Sequence, residues 1–205
     1  MSDMEMASAE RADLADLLST LTPEQWDAPS LCEEWRVRDV VAHVAGYDDL
    51  DRSGLARRFV RGWIVNTNQV RVEELRALTN AELLERLRSH LVPRGLTAGF
   101  GGMIALVDGT IHHQDIRRPL GLPREIPGAR LRRVLDATMR NPRLPAWRVT
   151  RGLRLTATDL DWSHGKGREV RGQAEALLMA AAGRPSAVTE LEGPGQRVLA
   201  SRLGH

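Results

Sequence analysis

From residue 4 to residue 139 the apolar residues of this chain return at helical spacing, segment after segment. A helix with one apolar stripe must bury it against another element, so a succession of such stripes commits the chain to packing helix on helix. The clearest stripe is Val37, Val40, Val41 and Val44, at i, i+3, i+4 and i+7. Leu14, Leu17, Leu18 and Leu21 mark an earlier helix over residues 4–20. Thr22-Pro23-Glu24-Gln25 reads as a capping box with proline at its first turn, opening a short helical turn that breaks at Ala28-Pro29. Thr79-Asn-Ala-Glu82 is a second capping box, and Leu83, Leu84, Leu87 and Leu91 follow it before Pro93. Between these, residues 51–78 are helical in pattern but heavily charged. Leu55, Phe59, Trp63, Val70 and Leu75 supply the anchors there, and Arg57, Arg58 and Arg61 a basic cluster best read as a solvated face.

Gly95, Gly99, Gly101 and Gly102 make residues 93–102 a loop. It lacks the Gly-Lys-Ser/Thr ending of a phosphate-binding loop and follows no strand. A core helix over the next residues closes at Arg118-Pro119 and Gly121, and another runs from Ala129 to Met139. After Pro145 the pattern changes. Residues 152–159 alternate as a half-buried strand does, residues 161–167 read as a turn, and residues 168–171 as a second short strand. A helix over residues 174–182 stops at Gly183, and a last one covers residues 197–203. The expected organisation is a mainly α chain, with a helical bundle over residues 1–143 and a small α/β domain over residues 144–205.

The formal charge of +2 gives no reason to expect a nucleic-acid partner, although 28 of the 29 basic residues are arginine and Lys166 is the only lysine. Cys32 is the only cysteine. It allows no intrachain disulfide and no multi-cysteine zinc site, and it points to a reducing compartment. The acidic start Met1-Ser-Asp-Met-Glu-Met lacks the basic and apolar regions of a signal peptide, and no run of about 18 apolar residues is present. A cytoplasmic, non-membrane protein is expected.

The chemistry-bearing stretch is Leu106-Val-Asp-Gly-Thr-Ile-His-His-Gln-Asp-Ile-Arg-Arg-Pro-Leu-Gly121. At about 100° per residue, Ile104, Val107 and Ile111 share an apolar face, Asp108, His112 and Asp115 line its edge, and His113 points away. An acid and a histidine at i, i+4 can hold one metal ion or one hydrogen-bonding partner. His43, at the edge of the valine stripe with Asp39 one turn before it, is the candidate third member. Asp39 has an alternative role at the positive end of its helix. Two histidines and one carboxylate from facing helices would leave an open coordination position, as catalytic zinc sites do. The alternative is a partly buried histidine bonded to a neighbour. Asp115 has two readings, orienting a metal ligand or pairing with Arg117 or Arg118. Cys32 has no histidine beside it in sequence, and packing is the commoner role for such a cysteine.

Three motifs together resemble one family: Trp35-Arg-Val-Arg-Asp-Val-Val-Ala-His43, the Asp108-x-x-x-His112-x-x-Asp115 segment ending Arg-Pro-Leu-Gly121, and Asp161-Trp162 with Glu-Val-Arg-Gly172 and the Ala-Leu-Leu run to Gly183-Arg. They look like the mycothiol-dependent maleylpyruvate isomerase-like proteins, related to the DinB-like bundle metalloproteins. The resemblance implies a DinB-like four-helix bundle followed by a small α/β domain. It also implies a divalent metal, usually zinc, on His43, Asp108 and His112. The isomerase carries glutamate where this chain has Asp108, a carboxylate one methylene shorter. The family's C-terminal domain contributes to the active-site cleft, and Arg171 is the candidate basic group there.

What the resemblance implies is a metal-dependent enzyme using a low-molecular-weight thiol such as mycothiol, as an isomerase or S-transferase on a small electrophilic substrate. The alternative is a non-catalytic bundle protein that binds metal or senses a ligand. The expected partners are the thiol and the substrate, with no nucleic acid and no membrane; assembly as a homodimer is left open.

Overall fold

The computed structural model describes residues 1–46, 48 and 72–204. The anchors Leu55, Phe59, Trp63 and Val70 and the arginines 57, 58 and 61 lie outside the described residues. Contacts divide the chain into two compact units, Met1–Pro123 and Arg124–His205.

In the first unit the helices are α1 (Asp3–Thr20), the single turn α2 (Pro23–Trp26), α3 (Val37–Val44), α4 (Asn80–Ser89) and α5 (Met103–Arg117). Side-chain caps explain where three of them begin. Ser2 and Glu5, Thr22 and Gln25, and Thr79 and Glu82 each form a reciprocal capping box that satisfies two otherwise orphaned N–H groups. The first of these was not anticipated. Asp39 closes the start of α3 by accepting from the Arg36 N–H at 3.0 Å. α1 and α3 each pack on both α4 and α5, which gives the four-helix bundle expected from the periodicity. Leu14, Leu18, Val37, Val40, Val41, Leu83, Leu87 and Ile116 are buried together in its core.

α5 is the central helix. Ala105, Leu106, Val107, Gly109, Thr110, Ile111 and residues 113–116 are all buried. A helix buried almost all round leaves little surface, and here the residues that remain half-open include Ile104, Asp108 and His112 at i, i+4 and i+8. α5 starts from Gly102 at φ +94°, where a Cβ would come within 2.8 Å of Met4 Cα in α1. Only glycine fits both the left-handed backbone and that approach.

The second unit begins earlier than the expected 143/144 boundary. α6 (Gly128–Arg140) packs on α8 (Ala174–Ala181) and on the short α7 (Ala146–Val149), and buries Leu131, Val134, Leu135 and Met139. A helical pattern does not show in sequence which neighbour it will pack against. The sheet has three strands in the order β2-β1-β3. β1 (Leu153–Ala157) runs parallel to β3 (Arg168–Gly172) and antiparallel to β2 (Ser163–Gly165). β2 lies within the expected turn: Ser163, His164 and Gly165 are all exposed and carry no apolar alternation to announce a strand. α8 stops at Gly183 (φ +94°), and a 3-10 helix (Pro185–Glu190) and α9 (Gln196–Arg202) complete the unit. Among the described residues, no helix is long and apolar enough to cross a membrane.

Candidate metal centre

The first unit brings His43, Asp108 and His112 together. His43 comes from the last turn of α3, and Asp108 and His112 sit one turn apart on the half-open stripe of α5. The His43 Nε2 lies 3.5 Å from Asp108 Oδ2, and the His112 Nε2 lies 3.4 Å from Asp108 Oδ1. The imidazole rings meet edge to face with centroids 4.8 Å apart. Trp35, half-buried at the end of the 30–35 loop, lies against both, 5.2 Å from His43 and 6.4 Å from His112.

These separations test the fit of a metal. Hydrogen bonds from ring N–H groups to carboxylates close to about 2.7–2.9 Å. Neighbouring ligand atoms of a tetrahedral ion with bonds of about 2.0–2.1 Å stand about 3.3–3.4 Å apart. The two nitrogen–oxygen separations match the second spacing and exceed the first. The donor set, two imidazoles and a carboxylate, suits zinc and other divalent ions. The residues present therefore fit a divalent cation. The shorter carboxylate lies between the histidines and presents one oxygen to each.

Without a metal the same groups pair electrostatically. Burial pushes the Asp108 carboxyl up, but the charges of His112 and His43 outweigh it and hold the group well below the usual carboxylate range. Burial likewise disfavours a charged His112, yet the Asp108 carboxylate, with hydrogen bonds from the surrounding groups, raises it well above its ordinary value. Asp108 keeps 41 % of its side chain exposed, so water reaches the centre from that side.

The other candidates fall as follows. Asp115 is fully buried and its Oδ2 lies 2.9 Å from His112 Nδ1, hydrogen-bond distance, on the ring edge away from Asp108. That contact is the one its orienting reading asks for, and the Arg117 Nε donates to His113 Nε2. His113 does point away: its Nδ1 meets Glu10 Oε1 of α1 at 2.8 Å, with both side chains buried. Arg171, in the second unit, has its Nε 3.0 Å from Glu192 Oε1, and the two residues exchange backbone hydrogen bonds. Cys32 departs from the expectation of plain packing. Its Sγ lies 3.1 Å from Asp115 Oδ2 and 3.5 Å from His112 Nδ1. The signal for this contact is absent from local sequence, because the partners are 80 and 83 residues away.

Two histidines and a carboxylate on facing helices are an arrangement from which helical bundles can build metal sites. Residues 7–94 match the family model of the mycothiol maleylpyruvate isomerase N-terminal domain, a span that holds His43 and ends before Asp108. That match bears out the family resemblance read from the sequence: over these residues the chain is similar to the mycothiol maleylpyruvate isomerase N-terminal domain. A crystal structure of a histidine-to-alanine mutant of the mycothiol-dependent maleylpyruvate isomerase is similar at a TM-score of 0.61 and 15 % identity, covering 95 % of this chain and 92 % of that one. A second crystal structure of the mycothiol-dependent maleylpyruvate isomerase is similar at a TM-score of 0.51 and 16 % identity, with the same coverage. At such identities the likeness is one of fold. Comparison with curated proteins found no match.

Proposed function

We propose that this protein is a metal-dependent enzyme that uses a low-molecular-weight thiol of the mycothiol type, acting as an isomerase or S-transferase on a small electrophilic substrate. The observation that carries the reading is the half-open triad: the His43–Asp108 and His112–Asp108 separations of 3.5 and 3.4 Å suit a shared cation, and Asp108 borders solvent. His43, Asp108 and His112 would hold the ion. A divalent metal such as Zn2+ bound there supplies a coordination position at which a small thiol is favoured in its deprotonated, nucleophilic form.

The chain's own residues divide the remaining work. Asp115 fixes His112 by holding its Nδ1 edge, so that Nε2 is the nitrogen turned toward Asp108. Asp115 therefore acts through His112 and not on the substrate. Trp35 covers the two imidazoles on one side and restricts the approach of water. Arg171, oriented by Glu192, is the candidate in the second unit for binding an anionic substrate group.

The test is metal content together with a thiol-transfer assay on the purified protein. Stoichiometric metal with thiol-dependent turnover of a maleylpyruvate-type substrate supports the enzyme reading. Metal without any thiol-dependent turnover moves the protein to the non-catalytic, ligand-sensing reading.

A further inference from the structure

The loop between α2 and α3 does more than connect them. Its ends are clamped by the Pro29–Arg36 bridge, by the Ser30 N–H donating to the Trp35 carbonyl at 3.0 Å, and by the Ser30 hydroxyl donating to the same carbonyl at 2.8 Å. Within it the Trp35 N–H closes a turn on the Cys32 carbonyl at 3.0 Å, and Glu34 takes φ +67°, a left-handed conformation a non-glycine residue rarely adopts. The loop is then fastened to α5, because the Leu31 N–H donates to the Asp115 carbonyl at 3.0 Å. That backbone bond lies next to Cys32, whose side chain meets the Asp115 carboxylate.

We infer that Cys32 is a positioning residue for the metal centre, acting through Asp115 on His112; this rests on the metal reading above. The Cys32 thiol donates to Asp115 Oδ2 at 3.1 Å, and the same oxygen bonds the His112 Nδ1 at 2.9 Å. One carboxylate oxygen thus ties a thiol and an imidazole together. Asp115 has no exposed surface, so water does not compete for that oxygen. With Nδ1 committed to Asp115, Nε2 is the nitrogen of His112 that faces Asp108 and that a metal would take in place of a proton. The thiol holds the carboxylate at the angle this needs. Removing it leaves a void beside a buried oxygen that then has one donor fewer, which shifts the carboxylate and with it the His112 ring.

Cys32, His112 and Asp115 also form a compact three-ligand group in their own right. Distance separates the two uses. The Cys32–His112 separation of 3.5 Å would suit sulfur and nitrogen on one ion, but both Asp115 contacts, 2.9 and 3.1 Å, are hydrogen-bond lengths, shorter than the spacing of about 3.3 Å or more that a tetrahedral site sets. Cys32 belongs behind the ligands and not among them.

The test uses the full chain with Cys32→Ala and Cys32→Ser, measuring Zn2+ affinity by competition with a chromophoric chelator and recording the absorption spectrum of the Co2+-loaded protein. Cys32→Ala is expected to weaken Zn2+ binding about ten-fold or more and to shift the Co2+ ligand-field bands. Cys32→Ser, which keeps a donor, is expected to recover most of both. Unchanged affinity in Cys32→Ala overturns the proposal, as does serine behaving like alanine. A thiolate-to-Co2+ charge-transfer band in the wild type that Cys32→Ser abolishes also overturns it, by making Cys32 a ligand. His43→Ala and His112→Ala in the same titration separate the two levels. If they lose Zn2+ while Cys32→Ala binds normally, only the role of Cys32 fails. If they keep Zn2+, the metal reading fails and this inference with it.

Discussion

The opposed shifts of Asp108 and His112 dictate how the centre answers to pH. In the metal-free protein His112 takes up a proton more readily than an isolated histidine, because the Asp108 carboxylate outweighs the burial that opposes it. Asp108 loses its proton more readily than an isolated aspartate, so it stays ionised through the neutral range. A metal at His112 Nε2 must displace the proton there, whereas Asp108 has none to give up. Apparent Zn2+ affinity should therefore rise about ten-fold per pH unit below the raised value of His112, with one proton released per ion, and level off only above it. Stability of the metal-free protein should move the opposite way. A raised histidine contributes stability that is fully present below its unfolded value of about 6.5 and is lost as pH climbs through the folded one. The depressed Asp108 contributes stability above its unfolded value of about 3.9, lost as pH falls through the folded one. Solvent at the half-exposed Asp108 screens that second contribution, leaving the alkaline limb as the one to measure. Calorimetric titration in two buffers of different ionisation enthalpy gives affinity and proton release together. Asp108→Asn removes the anion, so besides weakening binding it should bring the plateau back toward about 6.5. A wild-type affinity flat across pH 6.5–8, or no proton release at pH 7, would refute the coupling.

Asp48 and Arg11 form an ion pair with 0 % and 2 % of their side chains exposed, and Asp48 also accepts from the Arg94 N–H and the Thr97 hydroxyl. Asp48→Ala should cost about 3–5 kcal/mol, read by urea unfolding of the metal-free protein, because it strands a buried guanidinium; a loss under about 1 kcal/mol would contradict the pairing. His113→Ala removes a buried hydrogen-bond partner of Glu10 and should destabilise by about 1–3 kcal/mol, yet leave metal per folded molecule unchanged, in contrast to its neighbour His112. Gly102→Ala forces a side chain onto a φ of +94° and into Met4, and should lower stability by about 1–3 kcal/mol without altering the metal stoichiometry. Arg171→Ala should raise KM for an anionic substrate more than it lowers kcat; unchanged KM and kcat would place it outside substrate binding.

Much of the bundle was legible because local signals and global packing agree there. The valine stripe of α3 and the capping box of α4 each mark their own helix and also face the shared core. Helical phase alone separated His112 from His113, since a residue's direction around a helix is fixed by its position. What the sequence left hidden depends on contacts remote along the chain. The Cys32–Asp115 bond needs the α2–α3 loop laid against α5, and no periodicity encodes that docking. α6 reads as one more bundle helix, yet its apolar face is buried in the C-terminal unit. β2, with three exposed residues, is held by the register of its partner and not by any pattern of its own.

The central claim is that His43, Asp108 and His112 hold a metal, and metal analysis of the purified protein after exhaustive dialysis tests it most directly. The wild type should retain about one equivalent of a divalent ion, with zinc favoured, and His43→Ala and His112→Ala should each lose it while keeping the helical circular dichroism of the wild type. Metal content unchanged in both folded variants would contradict the assignment.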